Sequence, residues 1–248
     1  MEPPSTVQLG VKLIEACREK GITARLLGGV AVYLLVKEVY TRLPSLARSP
    51  KDVDLISLSK ESDRLSKLFS DLGLQGDRRF NALHGHERLR FLDPSGIKVD
   101  VFLDAFRESH TLPLKERLRV FEPTIPPSDL LLTKLQIWQI TERDLRDLVA
   151  IFLKFKLSSR DSGEEVDLRW IAKLTGEDWG LYRTLTVNLD RLVNYVDSLE
   201  DLRELRGEVE RKVRELRGEV ERAPKSVKWR MRALIGERMK WYEEPEEA

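Results

Sequence analysis

The sequence lacks several features that would assign it to common classes of protein. It has one cysteine, Cys17, in 248 residues, so it can form no intramolecular disulfide and no cysteine-based zinc site. No apolar run has the length of a membrane-spanning helix, and the first residues show no signal-peptide pattern. We therefore expect a cytoplasmic protein that makes no membrane contact.

Net charge is also nearly absent. The chain has 43 Lys and Arg against 42 Asp and Glu, which gives a formal charge of +1. This balance gives no overall preference for nucleic acid, so any basic binding surface has to be local. What the sequence does have is 41% hydrophobic and 34% charged residues, in a length that suits one large or two modest globular domains.

Two kinds of pattern divide the chain. Short β-type runs alternate with helical patterns up to a proline-containing connector at residues 122–127, and helical patterns follow to the C-terminus. The sequence therefore predicts an α+β protein. A small mixed β-sheet core with packed helices is expected in residues 1–125, and an α-helical domain in residues 126–248. Within the core, residues 79–83 and 88–92 alternate as the two strands of a β-hairpin would.

Three short patches of the core suggest a function. Gly28 and Gly29 follow an apolar run, Asp52 and Asp54 are separated by one apolar residue, and Asp100 lies in a similar alternation. Because strand side chains alternate, both acids of the pair would point to one face, and a neighbouring strand would add the third. Carboxylates and substrate phosphates suit Mg²⁺, and glycine N–H groups opening a helix attract phosphate. The patches predict a phosphoryl-transfer site with two Mg²⁺ ions.

These residues also have plainer interpretations. Acid-x-acid triplets arise by chance in a chain with 42 acidic residues, and a Gly-Gly pair often marks only a turn. Lys134 interrupts an apolar run, which indicates either an anionic partner or a lysine whose stem lies along apolar surface. His84 and His86 flank a glycine without a third ligand nearby, which favours a turn over a zinc site.

The helical half carries two further patterns. An eleven-residue repeat within residues 204–222 places a narrow apolar stripe on one helix, which is typical of a packing arm. Residues 225–241 combine lysine, arginine and tryptophan, a composition that can hold phosphates and stack bases. The alternative is that Trp229, Met231, Leu234 and Ile235 pack inward while the charges face solvent.

Together the patches resemble the nucleotidyltransferase superfamily with the DNA polymerase β-like fold, over about residues 22–156. The resemblance rests on Gly28-Gly29, Asp52-Val53-Asp54 and Val99-Asp100-Val101. Within that superfamily, three segments are similar to motifs of the AbiEii-like abortive-infection nucleotidyltransferases. They are Arg48-Ser49-Pro50-Lys51-Asp52-Val53-Asp54-Leu55, Pro127-Ser128-Asp129-Leu130-Leu131-Leu132-Thr133-Lys134-Leu135 and Glu142-Arg143-Asp144-Leu145-Arg146-Asp147-Leu148.

The resemblance implies Mg²⁺-dependent transfer of a nucleoside monophosphate from a nucleoside triphosphate to an acceptor, with release of pyrophosphate. It implies that Arg48, Lys51 and Lys134 bind the nucleotide, and that Asp144 orients Lys134 or Arg48. The helical domain at residues 126–248 is thus expected to contribute nucleotide contacts and to offer the surface that binds the acceptor. It further implies a toxin-like role with an RNA acceptor, for example a tRNA end, or a protein acceptor, and a cognate antitoxin as a further partner. The alternative hypothesis is a non-catalytic nucleotide- or partner-binding protein on the same fold.

Overall fold

The computed structural model describes residues 3–160 and 165–244, which divide into two compact units. The sheet unit comprises the described residues up to Lys37, with Arg48–Arg107 and Thr111–Pro126. The helical unit comprises Glu38–Ala47, Glu108–His110 and the described residues from Pro127 onward. The predicted α+β class is confirmed, with a small mixed sheet in the first part of the chain and helices in the second.

Five strands form the sheet, in the spatial order β1-β2-β5-β4-β3. They are β1 (Ala24–Leu27), β2 (Val53–Ser57), β3 (Gln75–Gly76), β4 (Arg88–Leu92) and β5 (Lys98–Leu103). Strands β2 and β5 are parallel, and the other neighbours are antiparallel. Two short strands, β6 (Ala105–Arg107) and β7 (Thr111–Pro113), pair separately.

The α-helices are distributed unequally between the two units. Those that begin in the sheet unit are α1 (Ser5–Glu19), α2 (Gly28–Arg42), α3 (Ser62–Asp71) and α4 (Arg78–His84). The helical unit adds α5 (Pro127–Leu135), α6 (Glu142–Lys154), α7 (Leu168–Glu177), α8 (Trp179–Asp197), α9 (Arg206–Arg222) and α10 (Val227–Ile235), with strands β8 (Lys156–Ser158) and β9 (Glu165–Asp167). Over the described ranges, none of these helices combines the length and apolarity that crossing a bilayer requires.

Helices α1 and α3 pack on one face of the sheet. A Cβ added to Gly10 of α1 would lie 3.5 Å from Val53 of β2. Phe69 of α3 makes an edge-to-face ring contact with Phe91 of β4, at 5.2 Å between centroids. Because strand side chains alternate, the residues adjacent to Val53 and Phe91 in the sequence point to the opposite face.

Cys17 of α1 lies in the core under this face, as the sequence predicts. Its side chain is buried. Burial, reinforced by the charge of Glu61, raises the pKa of the thiol to about 12. The cysteine is therefore a packed, protonated group and not a nucleophile.

Residues 78–84 form helix α4, so the prediction of a strand there is wrong. Asp77 caps the helix by accepting a hydrogen bond from the Phe80 amide at 2.9 Å. The Asn81 side chain then bonds both backbone groups of Arg90, at 2.7 and 3.0 Å. The cap and the Asn81 bonds fix the helix beside β4. The strand that pairs with the outer edge of β4 is the two-residue β3, not residues 79–83.

Helix α9 confirms the predicted apolar stripe and follows a short 3-10 turn at Glu200–Leu202. The buried members of the stripe are Val209, Val213, Leu216 and Val220. Lys212 is also buried, and its Nζ donates to the carbonyl oxygens of Phe152 and Phe155 at 2.6 and 3.0 Å. These bonds satisfy carbonyls at the C-terminal end of α6, so α9 is a packing helix of the helical unit.

Candidate functional site

The Asp54 and Asp100 patches meet on the face of the sheet opposite α1 and α3. Asp54 in β2 is the register partner of Asp100 in β5. Because register partners on neighbouring strands point to the same face, the two carboxylates are neighbours on that face. On its other side Asp54 pairs with Leu27, the last residue of β1. The chain therefore enters α2 at Gly28 directly beside Asp54.

The first acid of the pair has a different local structure from the second. The sequence places Asp52 and Asp54 in one strand, but β2 begins at Val53. Asp52 and Lys51 lie in the preceding bend, and both are exposed. Asp54, in contrast, is half-buried within the strand. Pairing with β1 and β5 thus fixes the direction of the Asp54 side chain, whereas Asp52 and Lys51 lie just before the strand.

Gly28 and Gly29 allow the backbone to pass very close to two charged side chains. Gly28 has φ of +63°, and a Cβ there would lie 2.0 Å from Oδ2 of Asp54. A Cβ on Gly29 would lie 3.1 Å from both terminal nitrogens of Arg48. The Asp54 carboxylate and the Arg48 guanidinium therefore both lie against the first residues of α2. Backbone N–H groups beside an arginine form a suitable cradle for phosphate oxygens.

A Gly28→Ala variant is expected to be destabilised and to displace Asp54. The positive φ alone costs a non-glycine residue about 1–3 kcal/mol, and the methyl group adds a clash with the carboxylate. Gly21→Ala is the matched control, because Gly21 has φ of +61° but no atom within 4 Å of the added Cβ. Urea unfolding of both variants separates the two effects. Equal losses of unfolding free energy in the two variants would show that the clash between a residue 28 methyl group and Asp54 does not affect stability.

Asp100 is buried and bonded by two arginines of β4. The Nε atoms of Arg88 and Arg90 donate to its Oδ1 at 3.1 and 3.2 Å, and a terminal nitrogen of Arg88 lies 3.1 Å from Oδ2. Aromatic rings cover both guanidinium groups, with Arg90 4.0 Å from the Phe80 centroid and Arg88 4.5 Å from that of Phe102. Both oxygens of Asp100 therefore already have cationic partners.

Arg88 and Arg90 are residues of this face that the sequence prediction does not include. The sequence does contain the information needed to find them, because a turn at residues 93–96 joins β4 to β5 and fixes the register of the two strands. That register pairs Arg90 with Asp100 and places Arg88 two residues away on the same face. Two arginines alternating on a strand that faces a lone acid predict an ion pair, once the pairing of the strands is known.

The residues of this face fit one Mg²⁺ ion better than two. In the described ranges, no group of three or more His, Cys, Asp or Glu side chains is arranged to hold a metal ion. Asp52 and Asp54 offer carboxylates, and Mg²⁺ is commonly held by one or two carboxylates together with substrate phosphates. Asp100 could join them only by exchanging its arginines for the ion. The three-carboxylate, two-ion site therefore stays a prediction.

In the helical unit, Lys134 forms a buried charge cluster. Its Nζ on α5 lies 2.8 Å from Oδ1 of Asp144 and 3.0 Å from Oδ2 of Asp147, both on α6. The Tyr40 hydroxyl donates to the other oxygen of Asp147 at 3.2 Å. Lys134 is therefore not a surface lysine with a snorkelling stem. Asp147 is fully buried.

Asp144 links this cluster to the start of α6. It completes a capping box with Thr141: the Thr141 amide donates to Asp144 Oδ2 at 3.2 Å, and the Asp144 amide donates to the Thr141 hydroxyl oxygen at 3.4 Å. The Thr141 hydroxyl also donates to Asp144 Oδ2 at 2.7 Å. Burial would raise the pKa of Asp144, but the positive charge of Lys134 and hydrogen bonds from Lys134 and Thr141 outweigh it and hold the pKa below its ordinary value. Asp144 is thus a charged group that holds Lys134 in place.

The basic and aromatic segment at residues 225–241 is only partly helical. Helix α10 ends at Ile235, where Gly236 takes φ of +61°. The Trp229 ring contacts Tyr182, and the Trp241 ring packs against other tryptophans of the helical unit. Met231, Leu234 and Ile235 are 64%, 84% and 41% exposed, so inward packing holds for Trp229 and is wrong for these three. The rings that would stack bases are engaged within the protein.

Comparison with known proteins gives little further information. No protein-family model matches the chain, and no curated protein matches it significantly. Among solved structures, the chain is similar to the crystal structure of an antigenic nucleotidyltransferase-like protein from Paracoccidioides brasiliensis. Identity is 15%, the alignment covers 82% of this chain and 92% of that chain, and the TM-score is 0.43. Such a distant likeness does not identify an activity, which has to be inferred from the residues of this chain.

Proposed function

We propose that this chain is a Mg²⁺-dependent nucleotidyltransferase of the AbiEii-like kind, which moves a nucleoside monophosphate from a nucleoside triphosphate to an acceptor. The observation that carries the proposal is the contact of Gly28 and Gly29 with Asp54 and Arg48, beside Asp100. Helix N–H groups and a guanidinium suit phosphates, and adjacent carboxylates suit the cation that accompanies them. Phosphoryl-type transfer needs mainly this positioning and charge neutralisation.

The proposed reaction is a displacement at the α-phosphorus of the triphosphate. The acceptor oxygen bonds to that phosphorus, the bond to the oxygen that bridges to the β-phosphorus breaks, and pyrophosphate leaves with the bonding electrons. Asp52 and Asp54 would hold Mg²⁺, which neutralises phosphate charge when bound. Arg48 and Lys51 would orient the triphosphate. The hydroxyl proton passes to solvent, and Asp100 would assist this loss only when released from its arginines.

The helical unit would contribute a further nucleotide contact through Lys134. The bonds to Asp144 and Asp147 fix the position of its ammonium group. This role for Lys134, with Asp144 as its orienting partner, follows the resemblance to the AbiEii-like proteins. The same resemblance supports an RNA end, such as that of a tRNA, or a protein as acceptor, a toxin-like role and a cognate antitoxin.

One observation favours a second candidate function. Arg88 and Arg90 occupy both oxygens of Asp100, which is the arrangement expected if this carboxylate has no catalytic role. The chain would then be a nucleotide-binding protein that transfers nothing, and Asp100 would serve only to hold the two arginines.

A labelling experiment distinguishes the two candidates. The protein is incubated with each of the four α-³²P-labelled nucleoside triphosphates, Mg²⁺ and a cell extract, and label is sought in RNA and in protein. We expect transfer with Mg²⁺ and none after chelation with EDTA. Nucleotide binding without transfer supports the second candidate. Absence of both binding and transfer would contradict both.

A further inference from the structure

Helix α10 carries an apolar stripe on the side that faces solvent. The stripe consists of side chains at helical spacings of four, seven and eight residues from the first, which lie on one face of the helix: Val227, Met231, Leu234 and Ile235. All four are exposed, from 41% for Ile235 to 84% for Leu234. With Met239, they make up five of the eight large apolar side chains that are exposed in the described ranges. The exposed apolar surface is therefore concentrated at α10.

The opposite face of α10 attaches the helix to the helical unit. Ser226 caps the helix by accepting a hydrogen bond from the Trp229 amide at 3.0 Å. The Trp229 ring makes an edge-to-face contact with Tyr182 of α8, at 5.3 Å between centroids. The Arg232 guanidinium lies 4.7 Å from the ring centroid of Trp179, also on α8. The helix is thus held by its aromatic and charged side, and its apolar side remains in contact with water.

Cationic side chains flank the stripe. With 3.6 residues per turn, Lys228 and Arg230 lie on either side of it, and Arg238 follows just beyond the end of the helix. All three are exposed, and none forms an ion pair with another residue of the described ranges. Residues 225–242 contain six Lys and Arg but one acid, Glu237, in a chain with a formal charge of +1. We call the stripe and these three cations the α10 surface.

We propose that the α10 surface binds to the surface of an anionic lipid bilayer. An amphipathic helix inserts its apolar stripe at the boundary between headgroups and acyl chains, while Lys and Arg beside the stripe are attracted to anionic lipids. Our expectation of no membrane contact came from the lack of a membrane-spanning run, which a helix lying on a bilayer does not need. The proposal is independent of the nucleotidyl transfer proposed above.

The size and charge of the α10 surface favour a bilayer over other occupants. Helix α10 has nine residues, so it is about 14 Å long and about 10 Å wide. A protein partner normally covers about 800 Å² on each side of a stable interface, which is several times the outline of this helix. A second copy bound to the same stripe would bring like cations together. An RNA strand would leave the stripe in water, and the rings that would stack bases are engaged within the helical unit.

Co-sedimentation of the full chain with lipid vesicles tests the proposal. One set of vesicles contains phosphatidylcholine alone, and the other contains equal parts of phosphatidylcholine and phosphatidylserine. We expect the protein to sediment with the phosphatidylserine vesicles and to bind the neutral vesicles much more weakly. Binding should decrease as salt is added, because the potential of an anionic surface falls off within a Debye length.

A Met231→Gln, Leu234→Gln double variant tests the apolar stripe. Its partition coefficient onto phosphatidylserine vesicles should fall by more than about tenfold, because both side chains lose the free energy of leaving water. The matched control is Leu83→Gln, Leu92→Gln, since these leucines are exposed elsewhere in the chain. The control should bind vesicles as the parent does. Both variants should unfold in urea as the parent does, because the substituted side chains are exposed.

A Lys228→Gln, Arg230→Gln double variant tests the cations. Each basic residue near an anionic surface strengthens binding about fivefold, so the loss of two should weaken it roughly 25-fold at low salt. The matched control, Lys12→Gln, Lys67→Gln, removes the same charge from exposed positions on α1 and α3. This control should bind vesicles as the parent does.

The outcomes distinguish the bilayer from other occupants. Absence of vesicle binding, equal binding to both kinds of vesicle, or α10 variants that bind like their controls would contradict the proposal. A parent that is dimeric in size-exclusion chromatography and becomes monomeric on Met231→Gln, Leu234→Gln, without binding vesicles, would assign the stripe to a second copy instead. Vesicle binding that depends on the α10 surface, in a protein that transfers no nucleotide, supports this proposal and contradicts only the proposed function.

Discussion

An Asp54→Asn variant is expected to lose nucleotidyl transfer by more than about 100-fold while it unfolds at nearly the parental urea concentration. Loss of a residue that only supports a metal ligand typically costs 10–100-fold in activity or metal affinity, so loss of a proposed direct ligand should cost more. The amide keeps the shape of the carboxylate next to Gly28, so the fold should tolerate the change. Asp52→Asn is expected to act in the same way.

Transfer rate and metal binding both measure this effect. In the parent, Mg²⁺ with a triphosphate should raise the thermal unfolding midpoint, because a ligand that binds only the folded state stabilises it. In the Asp54 variant this rise should shrink. Asp63→Asn, an exposed acid on α3 at the opposite face of the sheet, is the control. Near-parental transfer by the Asp54 variant would show that the metal assignment is wrong.

A Lys134→Met variant is expected to lose about 3–5 kcal/mol of unfolding free energy at about pH 7. Methionine keeps most of the volume of lysine but leaves the carboxylates of Asp144 and Asp147 without the cation that faces both of them. Removing one partner of a buried ion pair is costly because the remaining charge stays out of water. Lys156→Met, at an exposed position of the same unit, should change stability little.

The pH dependence of this loss distinguishes an electrostatic cause from a packing cause. In the parent, the lowered pKa of Asp144 contributes stability above the ordinary aspartate pKa, and the contribution is lost as the pH falls through the lowered value. The variant has no Lys134 to hold down the pKa of Asp144, so it does not have this contribution to lose. The stability difference between parent and variant should therefore stay constant from about pH 7 to about pH 5 and shrink as the pH falls below about 4. A difference that stays constant with pH would contradict the ion-pair account.

The sequence predicted the parts of the site that depend on local pattern. The strands β2 and β5, and a glycine turn that opens α2, are properties of short segments, and each is present. The prediction that a neighbouring strand brings Asp100 beside Asp54 is confirmed, since β2 and β5 are adjacent and pair these two residues. The burial of Cys17 and the stripe on α9 belong to the same class of prediction.

Features that depend on tertiary pairing were not predictable in this way. The hairpin pattern at residues 79–92 became α4 and β4, because a cap at Asp77 and the bonds of Asn81 to Arg90 outweigh alternation. The partners of Asp100 and of Lys134 lie on other elements, so their charges appear in the sequence as unrelated surface residues. Relating them needs the strand register and the packing of α5 on α6.

The proposed transfer of a nucleoside monophosphate is tested most directly by the fate of the phosphates of one nucleotide. Parallel reactions contain the parent protein, Mg²⁺, an RNA acceptor and the same triphosphate labelled at either the α- or the γ-phosphate. We predict that the α-label enters the acceptor and that the γ-label is released as pyrophosphate, with neither event in the Asp54→Asn variant. Entry of the γ-label into the acceptor, or transfer unaffected by loss of Asp54, would contradict the assignment.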